Sequence, residues 1–140
     1  MNSHEKASAV RDTSKLETLK ASIRQSLASS KNMVVIVSKD TRKSGSLLLW
    51  EIERAVEYYK LPLIIAYPGY DSILNPNAFS STWPHTVTAR INNRTAQAIH
   101  IPFKRDALFE SIRRFTVTGE DIGGSLVTFT EPAHKNWGYN

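Results

Sequence analysis

The chain has 140 residues, 41% of them hydrophobic and 22% charged, with a net charge of +5. That balance fits one globular domain with a modest core and excludes a largely disordered chain. Cysteine is absent, which excludes disulfides, thiolate metal sites and a cysteine nucleophile.

The amino terminus, M-N-S-H-E-K-A-S-A-V, is too polar for a signal peptide, and the apolar runs are strand-length, so a membrane is not an expected partner and the cytoplasm is the expected compartment. Ser14 followed by Glu17 reads as a capping box. Leu16, Leu19, Ile23 and Leu27 then recur at helical spacing, predicting a helix to about Ser30. Met33-Val34-Val35-Ile36-Val37 is a short β-branched run suited to a strand buried on both faces. After the loop S-K-D-T-R-K-S-G, a helix is predicted from Ser46 to Lys60, and Leu63 to Tyr67 is a second buried strand. Strand, helix, strand with short connections predicts parallel neighbours.

Pro68-Gly69 opens a stretch rich in Asn, Ser and Pro that reads as loop to about Thr82. A short helix from Pro84 to Ile91, a third strand from Ala98 to Pro102 and a helix from Lys104 to Phe115 follow. The remainder reads as loop apart from a short strand at Leu126 to Phe129. The expected fold is therefore an open parallel α/β sheet of the flavodoxin-like kind, with helices on both faces. Such units open on a strand, whereas this chain opens on a helix, so the expected domain, residues 1–115, is N-terminally incomplete. Residues 116–140 form an extension without an assigned role.

The Lys and Arg residues are spread from Lys6 to Lys135 in no block longer than two. Nothing reads as a nucleic-acid motif, and a phosphate-bearing small molecule uses the same charge equally well. No convincing metal site is encoded.

Three glutamates punctuate the helix from Ser46. Leu48, Ile52, Ala55, Val56 and Tyr59 share the side that faces the sheet. Glu53 and Glu57 lie nearly opposite, close to Lys60, as a solvated face with weak ion pairing. Glu51 borders the buried stripe in the second turn, near the carboxyl end of the first strand, where open α/β sheets bind ligands. From the pattern alone it is either a boundary residue paired with Arg54 or Lys43 or a functional carboxylate. Thr41, Arg42 and Ser44 lie in the loop beside the helix N-terminus, which suits a phosphate, though Thr41 and Ser44 serve equally as turn and capping groups. Trp50 points off the core stripe, either to stack on a base or to make a surface contact. His100, between Ile99 and Ile101, reads as a structural histidine.

The run V-V-I-V-S-K-D-T-R-K-S-G-S-L-L-L-W-E-I-E-R-A-V-E-Y-Y-K-L-P-L-I-I-A resembles the core of the TIR-like (Toll/interleukin-1 receptor-like) domains of bacterial Thoeris anti-phage systems. The likeness extends from about Asn2 to Phe115. It implies an enzyme that consumes NAD as substrate, without a cofactor, by cleaving the nicotinamide–ribose bond. The ADP-ribose-derived product, linear or cyclic, would signal to a separate effector protein. Trp50-Glu51-Ile52 matches the motif that carries the family's catalytic glutamate, which makes Glu51 the catalytic candidate. Thr41, Arg42, Ser44, Trp50 and Asp12 become candidate substrate contacts; the alternative for Asp12 is charge at a helix start. Relative to the family pattern the first strand and helix are missing, which would expose a sheet edge and favour a homo-oligomer. The alternative function is a non-catalytic TIR-like module that binds nucleotide or assembles with partners.

Overall fold

Two apolar runs, Leu63–Tyr67 and Ala98–Pro102, are buried at every position, which requires a sheet covered on both faces. The computed structural model, which describes residues 13–38 and 46–137, supplies that cover. In chain order the main elements are α1 (Thr13–Ser29), β1 (Met33–Ile36), α2 (Ser46–Glu53), β2 (Leu63–Tyr67), α3 (His85–Asn92), β3 (Ala98–Pro102), α4 (Arg105–Arg114), β4 (Val127–Thr128) and α5 (Glu131–Asn136). The four strands are parallel and lie in the order of the sequence, β1-β2-β3-β4.

Alternation along each strand sorts the core into two layers. Val35, Leu63, Ile65 and Tyr67 face Ile52 and Val56 of the α2 segment and Val87 and Ile91 of α3. Ile64, Ala66, Ile99 and Ile101 face the other way, onto Ala107 of α4 and onto Phe115, Ile122 and Phe129. Helices thus cover both faces, as the apolar runs require. A third cluster seats Leu27 of α1 against Ala55 and Leu61. β1 is the outer strand, paired on one side only among the described residues, and its Ile36 is half exposed.

Three local features differ from the sequence expectation. The helix from Ser46 does not stay α to Lys60. It widens into a π turn over Arg54–Tyr58, with the Tyr59 N–H donating to the Arg54 carbonyl at 3.1 Å and the Leu61 N–H to the Ala55 carbonyl at 2.8 Å. Within that turn consecutive residues bury against different neighbours, Ala55 against α1 and Val56 against the sheet. Lys60 ends it in the left-handed region, at φ 57°.

The stretch expected to be loop contains a 3-10 helix, Pro76–Thr82, opened by a proline in its first turn. Finally, α5 was not foreseen. Its Thr130 cap accepts from the Ala133 N–H, and its stability comes from tertiary contacts, because six residues are too few for a helix on propensity alone. α1 begins at Thr13, one residue before the expected start, and the capping box at Ser14 lies outside the described side chains.

Candidate functional site

Of the residues singled out in the sequence, Glu51 and Trp50 fall in the described part of α2. Thr41, Arg42, Ser44 and Asp12 lie outside the described residues. Glu51 sits in the second turn of α2 and is half-buried. It is engaged in an interaction of its own, so it is not a carboxylate dangling in water. Its neighbour Ile52 is fully buried against the sheet, which fixes the rotation of the helix and holds residue 51 at the margin of the core.

The other two glutamates are more than a solvated face. Arg90 of α3 reaches across to both, its Nη2 at 2.7 Å from Glu57 Oε1 and 3.5 Å from Glu53 Oε2. The expected partner Lys60 is in no ion pair among the described residues. The reason is geometric: α3 packs beside α2 on the same face of the sheet, and the largely buried guanidinium of Arg90 turns outward to the nearest charges. Sequence reasoning could not find a partner 33 positions away.

Trp50 turns away from the sheet toward α1. Lys20 Nζ lies 5.1 Å from its ring centroid, and the guanidinium carbons of Arg24 and Arg54 each lie 5.9 Å away. Arg54 also lies over Tyr58, at 4.3 Å. The indole is thus a shared platform for three cations, two of them from another helix.

At the carboxyl ends of β2 and β3, the polar side chains are mostly engaged with one another. The indole N–H of Trp83 donates to Tyr67 Oη at 2.8 Å, and Tyr67 Oη lies 2.7 Å from His100 Nδ1. His100 Nε2 lies 2.8 Å from the Ser125 carbonyl. A carbonyl only accepts, so Nε2 carries the proton, Nδ1 is the acceptor and the Tyr67 hydroxyl donates to it. Burial holds His100 neutral, lowering its pKa from 6.5 to about 4, with the hydrogen bond to Ser125 pulling weakly the other way. Burial likewise pushes the Tyr67 hydroxyl well above its ordinary range, against a smaller opposing effect of the Trp83 hydrogen bond. Both groups are structural. His100 matches its reading as a structural histidine, and the Tyr67 hydroxyl is spent on the core. Asp71 pairs with Lys104 at 3.0 Å, and Tyr70 is exposed beside Phe79.

A second buried histidine had no signal in the sequence. His134 of α5 accepts the Ile73 N–H on Nε2 at 3.1 Å, while its Nδ1 donates to the Thr130 carbonyl at 2.8 Å. It latches the tail to the loop that follows β2.

Several cavities are lined by described residues. One of about 380 Å³ opens at the amino ends of the strands, between Lys60, Gln97, Thr116 and Asp121. One of about 490 Å³ lies between Arg94, Gln97 and Ser125, and another of about 490 Å³ lies between Glu110, Arg114 and Thr128. Among the described residues no group of three His, Asp or Glu side chains is gathered as a metal would need, and no helix is long and apolar enough to cross a membrane.

Residues 1–73 match the family model of the TIR-like domain of the Thoeris protein ThsB. No solved structure matches the chain.

Proposed function

Because the chain belongs to the TIR-like domain family of the Thoeris protein ThsB, a family of anti-phage defence, we propose that it cleaves NAD at the bond between nicotinamide and ribose. Glu51 is the catalytic group in this reading. The observation that carries it is the setting of Glu51: a half-buried, engaged carboxylate in the second turn of the helix that follows β1, in the Trp-Glu-Ile motif of the family. In parallel α/β sheets, ligands bind outside the carboxyl ends of the strands.

The chemistry asks little of the protein. The nicotinamide of NAD is a cationic pyridinium, and when its bond to C1′ of the ribose breaks, the bonding pair leaves with the ring, which departs neutral. No general acid is required. Positive charge develops on the ribose as an oxocarbenium-like state, and a carboxylate held at the edge of the core stabilises that charge more than it stabilises the ground state. Attack at C1′ by water, with loss of a proton, gives ADP-ribose; attack by a group of the same molecule gives a cyclic product. Either product is suited to carry a signal to an effector protein. Thr41, Arg42 and Ser44 are proposed to hold the diphosphate, with Asp12 and Trp50 as further substrate contacts.

Incubation of the purified chain with NAD should release nicotinamide, measured by reversed-phase chromatography. Glu51→Gln keeps the shape and removes the charge, so it should lower the rate by roughly a hundredfold or more. Equal turnover in that variant refutes the assignment. The margin of β1, unpaired among the described residues and with Ile36 half exposed, favours a second reading in which the domain assembles with copies of itself without catalysis. Concentration-dependent mass in the absence of any nicotinamide release would select that reading.

A further inference from the structure

Charge is matched unevenly over the described surface. Arg90, Lys104, Arg114 and Lys135 each have a carboxylate within 4 Å. Lys20, Arg24 and Arg54 converge on the ring of Trp50 instead, and among the described residues none of the three is in an ion pair. Lys20 and Arg24 are four residues apart on α1, a like-charge spacing that is mildly destabilising to a helix. Arg54 brings a third positive charge to the same ring from α2's continuation. On that segment Glu53 and Glu57 do not relieve it, since both are turned to Arg90.

The aromatic ring offsets part of this cost, because its π face attracts cations. Stacking satisfies a cation only through its face, however. The N–H donors around the edges of the guanidiniums and the ammonium are left for another acceptor, and the buried Nε of Arg54 has no hydrogen-bond partner among the described residues. With cations over the indole, Trp50 acts as the platform that spaces the charges. The tyrosine under Arg54 extends the same platform.

We propose that the Lys20–Arg24–Arg54 face around Trp50 binds a phosphate anion of at least two linked phosphates. Three positive charges, each within 5.9 Å of one ring centroid, call for a multivalent anion; a single carboxylate would neutralise one and leave the others in repulsion. Guanidinium forks match the oxygen spacing of phosphate in pairs, and the ammonium adds a point charge. Three of the basic residues, which the sequence shows only as scattered along the chain, are brought to one ring by the placing of α1 beside α2. The site stands whether or not Glu51 cleaves NAD, because its ligand need only carry phosphates.

Calorimetric titration of inorganic pyrophosphate into the full chain at low salt tests this, with no NAD present. A binding step that weakens as sodium chloride is raised should appear, and Lys20→Gln/Arg24→Gln and Arg54→Gln should each weaken that step at least about tenfold. Lys20→Arg keeps the charge and should bind as the wild type does; circular dichroism separates a lost site from a lost fold. An oligothymidylate that outcompetes pyrophosphate, and that the same substitutions release, identifies a nucleic-acid backbone as the source of the phosphates and supports the site. Binding of neither anion at millimolar concentration, or binding unchanged in the glutamine variants, overturns it.

Discussion

Acid should loosen this fold through His100. In the folded chain Nδ1 accepts the Tyr67 hydroxyl and the ring is fully buried, so the imidazole stays neutral down to about pH 4, whereas its ordinary value is 6.5. In the unfolded chain the ring takes a proton near the ordinary value. The unfolded state therefore binds more protons between those limits, and stability falls as pH falls. The contribution is fully present above about pH 6.5, declines through the window and is gone near pH 4. At about 1.4 kcal/mol for each pH unit the whole window is worth about 3 kcal/mol, and about 2 kcal/mol of that is lost between pH 7 and pH 5. Urea unfolding followed by tryptophan fluorescence, with Trp83 inside the same hydrogen-bonded chain, measures it at each pH. The amide of His100→Gln can still donate to Ser125 but cannot titrate in this range, so this variant should lack that pH-dependent component even if it starts less stable. An identical decline in wild type and His100→Gln would show that the ring is not held neutral by its burial.

Other outcomes follow from the same contacts. His134→Phe strands the buried Ile73 N–H and should cost about 2 kcal/mol in urea unfolding, with hydrogen exchange at Ile73 accelerated ahead of the strands. Arg90→Met removes the bridge to Glu53 and Glu57; because both carboxylates are half exposed, the loss should stay near about 0.5–1 kcal/mol and shrink as salt is raised. Lys60→Gly accepts the left-handed backbone at φ 57° without a Cβ penalty and should raise the melting temperature, by an amount corresponding to up to about 1 kcal/mol.

The strands were the most legible part of the sequence. Leu63–Tyr67 and Ala98–Pro102 have the bounds read from the sequence, because burial on both faces leaves an unbroken apolar run between turn residues. The α2 stripe was legible in part for the same kind of reason: Ile52 and Val56 are buried against the sheet as the wheel requires, whereas Ala55 and Tyr59, expected on the same side, pack with Leu27 of α1. The π turn was not, since one widened turn leaves the 3.6-residue spacing nearly intact over so short a segment. Nor was the 3-10 helix, whose Pro-Asn-Ser composition is also that of a loop, or α5, which depends on one histidine placed by tertiary contacts. In the candidate site, the border position of Glu51 could be read from local periodicity. Arg90 on the two other glutamates, and Lys20 and Arg24 on Trp50, join residues that only packing brings together.

The latch between His134 and the Ile73 amide has a consequence for biosynthesis. Its histidine is translated 61 residues after the isoleucine whose amide it fastens. Ribosome-bound intermediates can assemble β1, β2 and β3 while that loop is still untethered, and the region beyond the strand tips is completed only once α5 has emerged. A nascent chain stalled just before α5 should thus be cut by protease within the loop while the sheet survives.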